Sequence, residues 1–543
     1  MGVEAAPAVD VAETALPWWE RRWFLVLVVL ATMIPLLYPP LPPLVDLLGH
    51  LGHYRVELDG GRSPWLQRYY GFRWAPIGNL GVDILLIPLG PLLGLEPAVK
   101  LIVLLIPPLT AAGMIWVARE VHGRVPPTVM FALPFIYGFP FLFGFLNYAL
   151  SVALAFIAFG LWLRLSRLGL IRLRSWLFAP VSLILFFCHI YGWGLLGLMC
   201  LSSEVIRLLD KEGGLLRSFV RAALLTTPLA LPLAVIAVWP AETRDGARIV
   251  WFAWQMKLRW IYAVLRDRWG AFDMASLAFA ALVILAALLD RSFVISRRLG
   301  IGAAILCAVF LIMPPILFGS AYADMRLVPY VLALMLLSLH VRDIEGARIG
   351  RLLALLGLLF FSVRIAGNTV SLAIASVDQQ ARLKAVDLIP RGGRVATFYG
   401  LPHPEPWALP RDSHLGALVV ERREGFSNDQ FINAGHNLQT LRYREAGAFS
   451  FSPSENVRQG RPEPGGYLTI DEALTELPRD KFDYIWLIDV APADGQLLAG
   501  LTAIWRGAGT VLYRIDADER KRNDNRSTYS GTRTPDGLIG TID

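Results

Sequence analysis

Residues 23–55 have the sequence WFLVLVVLATMIPLLYPPLPPLVDLLGHLGHYR, in which an apolar run is followed by Asp46, His50, His53 and Arg55. The run 23–41 has about the 20 apolar residues that a helix needs to cross a bilayer. If 46–55 is also helical, Asp46, His50 and His53 lie on one face, at i, i+4 and i+7. This stretch therefore predicts a membrane-spanning helix that delivers ionisable side chains to the membrane surface.

The composition of the chain is that of a membrane protein. Of its 543 residues, 55% are hydrophobic and only 17% are charged, and the mean hydropathy is +0.50. Apolar stretches recur up to about residue 377, after which the chain is polar and rich in Gly, Pro and Arg. We predict an amino-terminal cytoplasmic tail at 1–22, a transmembrane domain at 23–377 and a soluble carboxyl-terminal domain at 378–543.

The apolar stretches predict about eleven transmembrane helices. They lie at 23–41, 98–118, 127–143, 149–163, 176–188, 192–206, 222–238, 274–289, 301–318, 327–339 and 352–376. The net charge of +7 does not indicate nucleic-acid binding, because the arginines are distributed between spans and form no single basic face.

With the amino terminus inside, the positively charged connections all fall on the cytoplasmic side, as the positive-inside rule requires. The polar loops then share the opposite side. They comprise the Asp46 loop, the turns at Asn147, His189 and Asp324, the loop 242–273 and the carboxyl-terminal domain. The pattern predicts an integral protein of the inner (plasma) membrane whose carboxyl-terminal domain is periplasmic.

The segment 80–95 decides this orientation, because counting it as a span would invert every later loop. It is short, contains Asp83 and is interrupted by Pro88 and Pro91. Prolines and an acidic residue are unfavourable in a spanning helix. We therefore predict a juxtamembrane helix pair at the interface.

Metal and disulfide sites have little support in the sequence. The three cysteines lie in or beside apolar spans, which argues against disulfides and a cysteine metal cluster. His50 and His53 with Asp46 have a spacing that a divalent metal accepts, but hydrogen-bonded structure or substrate contact is favoured, so no metal cofactor is expected. The spacing of His403, Asp412, His414 and His436 is irregular and indicates ordinary loop residues.

The carboxyl-terminal region has the pattern of a small α/β domain. Short apolar runs at 395–399, 484–488 and 510–514 predict strands, and 471–477 is typical of a helix. The pair Gly392-Gly393 precedes a strand, which predicts a turn and not a dinucleotide-binding loop. The tail after Asp518 is predicted to be disordered.

In its layout the chain resembles the GT-C superfamily of polytopic membrane glycosyltransferases. The resemblance rests on Asp46 early in the first outer loop, the segment WLQRYYGFRWAP at 65–76, the segment GFLNY at 144–148 and the soluble outer domain. It implies transfer of a sugar from a polyprenyl-phosphate carrier to a lipid, glycan or protein acceptor, with inversion at the sugar carbon.

The same resemblance implies roles for individual residues. Asp46 becomes the catalytic base, and cationic groups are expected around the lipid phosphate. Asn147 stands where many relatives carry an acidic residue, which puts a metal-dependent mechanism in doubt. The predicted substrate-binding residues are His50, His53, Arg55, Arg68, Tyr69, Arg73, Trp74, Asn147, Tyr148, His189, Tyr191, Asp324 and Arg326.

Simpler explanations exist for several of these residues. Asp46 is a favoured residue for capping a helix, and the aromatic residues of 65–74 are typical of an interfacial belt. Asp324 and Arg326 are close enough to pair with each other. Two other classes also stay open: a noncatalytic membrane assembly protein, and a transporter, which would be expected to show an internal repeat.

Overall fold

The computed structural model describes residues 16–238, 251, 253–317, 321–342, 346–432, 438–459 and 466–516. Most of the described chain up to residue 383 is helical, and a sheet-containing region follows, which confirms the predicted architecture. The predicted disordered tail and His436 lie outside the described residues, as do residues 242–250 and 252 of the loop 242–273.

The helices are, in chain order, α1 (Arg22–Ala31), α2 (Ile34–Leu37), α3 (Leu47–Asp59), α4 (Pro64–Tyr69), α5 (Gly81–Leu93), α6 (Leu95–His122), α7 (Val129–Ala132), α8 (Phe139–Phe143), α9 (Leu146–Arg167), α10 (Ile171–Cys188), α11 (Ile190–Glu212), α12 (Leu215–Thr226), α13 (Leu231–Val238), α14 (Trp254–Tyr262), α15 (Gly270–Leu289), α16 (Arg297–Ile312), α17 (Val328–Ser338), α18 (Gly346–Leu383), α19 (Ala417–Arg423) and α20 (Ile470–Glu476).

The strands are β1 (Tyr70–Phe72), β2 (Phe293–Ile295), β3 (Leu339–Val341), β4 (Arg394–Leu401), β5 (Phe426–Ser427), β6 (Gln439–Leu441), β7 (Asn456–Arg458), β8 (Tyr484–Ile488), β9 (Leu501–Gly507) and β10 (Thr510–Ile515).

Helical segments coincide with each of the eleven predicted spans. Within the described ranges, seven helical segments are long and apolar enough to cross a membrane, and the first and third predicted spans are broken into shorter helices. The total of eleven therefore stays a prediction. The predicted boundary at 377 falls inside α18, which continues to Leu383.

Side-chain burial sorts the long helices into an inner and an outer group. α9 is mostly buried and packs against α6, α10 and α11. α13, α15 and α18 leave large apolar side chains exposed, among them Leu233, Leu282 and Leu359. An exposed apolar helix surface of this kind is typical of a lipid-facing surface.

The segment 80–95 forms one helix, α5, and the predicted helix pair is wrong. Pro88 and Pro91 lie inside α5, which ends at Leu93. The chain breaks at Gly94, whose φ of 87° is a left-handed conformation that glycine adopts readily. Glycine and not proline therefore separates α5 from α6. The predicted juxtamembrane helices of the first loop are present as α3, α4 and α5.

The carboxyl-terminal region contains a six-stranded sheet with the order β5-β4-β8-β10-β9, and β7 also pairs with β4. β5, β7 and β8 run parallel to β4, whereas β10 is antiparallel to β8 and β9. The three predicted strands are β4, β8 and β10, and the predicted helix is α20. Gly392 adopts a φ of 78°, which fits the predicted turn.

The segment predicted as the first outer loop and the carboxyl-terminal region are joined by backbone pairing and close packing. β1 of the loop pairs antiparallel with β6. On α3, a methyl group added at Gly49 would lie 2.5 Å from the Phe431 ring, and Gly52 faces Gln430 equally closely. These two glycines allow the chain after β5 to approach α3, because any larger side chain would collide with it.

We expect a membrane-impermeant maleimide to label Glu476→Cys in intact spheroplasts, because this exposed residue lies in the predicted periplasmic domain. Arg217→Cys, exposed in a predicted cytoplasmic connection, should be labelled only after permeabilisation. The native cysteines at 188, 200 and 307 are first replaced by alanine. The opposite labelling pattern would show that the orientation, and with it the interpretation of α5, is wrong.

Candidate active site

Asp46 lies at the entrance of α3, but its side chain does not cap the helix. Its backbone N–H donates to the carbonyl of Phe143 at 2.8 Å, and Gly144, with a φ of 99°, packs against the Asp46 backbone. The capping explanation for Asp46 is therefore wrong. The two segments quoted for the resemblance, at 46 and 144–148, come together here.

A histidine from the carboxyl-terminal region is the charged neighbour of Asp46. His414 Nε2 lies 3.8 Å from Asp46 Oδ1, and His414 Nδ1 lies 2.7 Å from Asp429 Oδ1. Glu455 lies close to His414 and Asp429, and the side chains of His414, Asp429 and Glu455 are all buried. The imidazole thus lies between two carboxylates, one from each part of the chain.

The sheet explains how these residues meet. β4 and β5 are parallel, so the segments that follow their carboxyl ends lie at one edge of the sheet. His414 precedes α19 in the connection after β4, and Asp429 lies two residues after the end of β5. Arg411 of the same connection binds the Pro43 carbonyl and lies 2.5 Å from Asp267. The connection is therefore fixed on the chain just before Asp46.

Burial and neighbouring charges shift both members of the Asp46–His414 pair. Burial raises the pKa of Asp46 to about 6, although the His414 and Arg326 cations counteract part of this effect. Burial also lowers the pKa of His414, but the carboxylates of Asp429 and Asp46 outweigh it and raise the value to about 9. Between these values the site holds an ionised carboxylate against an imidazolium.

Asp324 and Arg326 do not pair with each other, so the predicted ion pair is wrong. Lys257 on α14 reaches Asp324 Oδ2 at 2.6 Å and also donates to the Phe310 carbonyl at 2.7 Å. Among the described residues, no carboxylate lies within ion-pair distance of Arg326, and its Nε has no hydrogen-bond partner. Arg326 is therefore a buried cation whose charge is not neutralised by direct contact.

Aromatic side chains hold the segment that carries Arg326. Tyr148 donates to the Arg326 carbonyl, and Tyr191 donates to the Ala323 carbonyl at 2.8 Å. The guanidinium lies over the Phe145 ring at 4.1 Å, and one of its nitrogens is 3.4 Å from His189 Nε2. Four of the predicted residues, namely Tyr148, His189, Tyr191 and Arg326, therefore form one group.

His50, His53 and Asn147 have structural partners outside this group. The His50 ring lies near the rings of Tyr54 and Phe431, and burial lowers the pKa of His50 to about 4. His53 bonds to Asp83 and not to Asp46, so the metal site considered for Asp46, His50 and His53 is not formed.

Asn147 fixes the start of α5. Its Oδ1 accepts from the Val82 N–H at 2.6 Å. Its Nδ2 donates to the Asn79 carbonyl at 2.8 Å and to Asp83 Oδ2 at 3.1 Å. These bonds occupy both donors of the amide and one acceptor position, so they fix Asn147 against the start of α5. Its contact with substrate stays a prediction.

The remaining predicted residues lie at the junction with the carboxyl-terminal region or on the surface. Arg55 forms an ion pair with Glu424 at 2.5 Å, and the Tyr69 hydroxyl donates to the Gly392 carbonyl at 2.7 Å. Arg68, Arg73 and Trp74 are exposed. The expectation that Arg55, Arg68 and Arg73 surround the same cavity as Arg326 is not supported, because their environments differ from that of Arg326.

Two clusters of described residues could hold a metal ion, namely His53 with Glu57 and Asp83, and His414 with Asp429 and Glu455. Sequence reasoning missed the roles of His414, Asp429 and Lys257. The segments that carry these three residues have no recognisable spacing in the sequence, and β5, which precedes Asp429, is only two residues long.

The arrangement can accept a proton and bind an anion. Asp46 supplies a carboxylate whose pKa lies closer to neutrality than that of an ordinary aspartate. Arg326 supplies hydrogen-bond donors without a protein carboxylate in contact, as in many phosphate sites. The two groups interact electrostatically, since the Arg326 cation counteracts the rise in the Asp46 pKa.

Comparisons with known proteins give a structural likeness only. No family model and no curated protein matches the sequence. Solved structures similar to the chain include the crystal structure of ArnT from Cupriavidus metallidurans bound to undecaprenyl phosphate. The two sequences are 14% identical, and the match covers 91% of this chain and 97% of that chain with a TM-score of 0.44. The apo structure of the same protein gives 14% identity, 92% and 98% coverage, and a TM-score of 0.44. A likeness of this size assigns no activity.

The charged state of His414 should be visible in the pH dependence of stability. Its pKa is about 9 in the folded protein and 6.5 ordinarily, so the folded state retains a proton that the unfolded state releases. The stabilisation is complete below about pH 6.5 and is lost as the pH rises through about 9. We expect the free energy of unfolding in detergent to fall between about pH 6.5 and 9, with a slope approaching about 1.4 kcal/mol per pH unit, and the apparent unfolding temperature to fall with it.

His414→Gln should flatten this decrease, whereas His403→Gln, which changes an exposed histidine, should retain it. Thermal unfolding followed by tryptophan fluorescence measures both variants. An unchanged pH dependence in His414→Gln would show that His414 is not held as an imidazolium.

Proposed function

We propose that the protein is a membrane glycosyltransferase of the GT-C type that moves a sugar from a polyprenyl-phosphate carrier to an acceptor on the periplasmic side. The proposal is carried by one observation: the segment 143–145 contacts both the backbone of Asp46 and the guanidinium of Arg326, so a half-buried carboxylate and a buried cation lie in a single site next to apolar helices. A base and an anion-binding group are what displacement of a lipid phosphate requires.

In the proposed reaction, Asp46 takes the proton of an acceptor hydroxyl or amine. The acceptor oxygen or nitrogen bonds to the anomeric carbon of the sugar, while the bond from that carbon to the phosphate oxygen breaks. The leaving lipid phosphate keeps the bonding electron pair, and the Arg326 guanidinium stabilises its charge. Attack opposite the leaving phosphate inverts the anomeric configuration.

His414 is proposed as a positioning residue for Asp46. As an imidazolium bonded to Asp429, it places a positive charge 3.8 Å from Asp46 Oδ1. That charge favours the ionised carboxylate and counteracts the effect of burial on the Asp46 pKa. The Asp46–His414 pair would thus keep a buried base available near neutral pH.

Aromatic residues near the cation support an apolar carrier. Phe145, Tyr148 and Tyr191 surround Arg326, and they lie at the ends of long apolar helices. A phosphate on a long isoprenoid chain needs a charged contact for its head and an apolar surface for its tail. The site offers both kinds of contact within one group.

Asp46→Asn should abolish transfer of sugar from polyprenyl-phosphate donors to extracted membrane acceptors. The amide keeps the shape of the side chain but cannot accept the acceptor's proton, so a loss of about 100-fold or more is expected. The assay compares purified wild type and variant in detergent, with retention of fold checked by gel filtration and thermal unfolding.

Asp480→Asn provides the matched control, since Asp480 belongs to the carboxyl-terminal region and pairs there with Lys481; it should retain transfer. If the wild type binds donor but transfers nothing, the noncatalytic assembly protein becomes the better explanation. Full activity in a folded Asp46→Asn variant would remove Asp46 from the mechanism.

Arg326→Gln should weaken donor binding by about 10- to 100-fold, because it removes the charged hydrogen bonds to phosphate. Binding of a short-chain polyprenyl phosphate by calorimetry measures the effect without any acceptor. Arg444→Gln, which changes an exposed arginine outside the predicted site, should bind as wild type does. Equal weakening in both variants would mean that binding reflects general surface charge.

A further inference from the structure

A second buried polar cluster lies further along α3, apart from the Asp46–His414 pair. His53 and Glu57 are one turn apart on α3, and Asp83 lies in the first turn of α5. His53 Nε2 is 2.9 Å from Asp83 Oδ1 and 4.0 Å from Glu57 Oε2. One ligand atom from each of the three residues lies within 4.8 Å of the others.

The Glu57 carboxylate has no hydrogen-bond donor among the described residues, and the Asp83 carboxylate lies beside it. The Glu57 side chain is only 1% exposed, and among the described residues neither of its oxygens has a hydrogen-bond partner. His53 Nδ1 also lacks a partner there. A buried carboxylate without hydrogen bonds is strongly unfavourable, so a group that satisfies it is expected.

No basic side chain of the described chain supplies that group. The ion pairs of Glu57 and Asp83 involve only His53, and no Lys or Arg approaches either carboxylate within ion-pair distance. Even a protonated His53 would leave an excess negative charge beside the two acidic residues. A divalent cation would bring two carboxylates and a neutral imidazole to overall neutrality.

We propose that His53, Glu57 and Asp83 bind a divalent metal ion of the zinc class. Imidazole and carboxylate ligands suit such an ion, and tetrahedral ligands around it lie about 3.3 Å apart, between the 2.9 Å from His53 to Asp83 and the 4.0 Å from His53 to Glu57. Asn147 Nδ2 donates to Asp83 Oδ2 at 3.1 Å and orients this ligand from α9. The ion would tie α3, which begins at Asp46, to α5.

The cluster of His414, Asp429 and Glu455 is less suited to a metal, because each of its three residues has a hydrogen-bond partner, whereas neither oxygen of Glu57 has one among the described residues. His414 Nδ1 is bonded to Asp429 Oδ1, and Asp429 Oδ2 accepts from the Ala417 N–H at 3.2 Å. Glu455 Oε1 accepts hydrogen bonds from Ser452 and Asn456, each at 2.9 Å. Substitutions in the His53 cluster therefore test the proposal, and a substitution in the His414 cluster provides the internal control.

The test is the metal content of the full-length protein, purified in detergent without chelators and dialysed against zinc. Elemental analysis should find about one zinc ion per chain in wild type. Glu57→Gln and Asp83→Asn should each lose most of it, and Glu455→Gln should retain it. Cobalt substitution should give a visible ligand-field spectrum that Glu57→Gln abolishes.

Wild type that holds no zinc after dialysis, or a folded Glu57→Gln variant with unchanged metal content, would overturn the proposal. A proton shared between Glu57 and Asp83 would then explain the pair. If the variants do not fold, chelator-treated wild type decides: zinc, but not magnesium, should raise its apparent unfolding temperature, and no rise would overturn the proposal. The measurement uses no donor or acceptor, so its result is independent of the proposed transfer.

Discussion

The contact between Asp46 and His414 is the interaction on which the organisation of the site depends. It joins the entrance of the first juxtamembrane helix to a connection in the carboxyl-terminal region, and the neighbouring bond from Arg411 to the Pro43 carbonyl spans 368 residues of sequence. The carboxylates of Asp429 and Asp46 together stabilise the His414 imidazolium, and that imidazolium in turn favours the ionised form of Asp46. The carboxyl-terminal region is therefore part of the site and not an appendage beside it.

Close packing makes this contact geometrically feasible. Gly49 and Gly52 remove side chains from the face of α3 that meets Phe431 and Gln430, and β1 pairs with β6 beside them. Asp273 strengthens the junction from the membrane helices, since it binds both Arg364 at 2.7 Å and Trp407 at 2.8 Å. Hydrogen bonds to buried charges are stronger and more directional than surface ion pairs, so they fix the angle at which the two parts meet.

Local patterns predicted the helices, the strands and the residues near Asp46, because these depend on hydrophobic period and on position in the chain. The group of Tyr148, His189, Tyr191 and Arg326 was accessible in this way, since all four lie at ends of spans assigned to one side. His414 and Lys257 were not accessible, because their partners Asp46 and Asp324 come from distant segments. The prolines of α5 led to the wrong prediction of a helix break for a related reason. Packing against other segments stabilises a helix even where its local helix propensity is poor.

The charges around Asp46 bear on why an asparagine stands at position 147. Asp46 is close to two cations, His414 and Arg326, so its charge is compensated by protein groups without a second acidic residue to share a metal. Asn147 instead bonds to Asp83 and the backbone of α5, and a carboxylate there would add a third negative charge beside Glu57 and Asp83. The His53 cluster lies about 10 Å further along α3. A metal there would support the helix that begins at Asp46, while the proton transfer proposed for Asp46 would need only the protein's own charges.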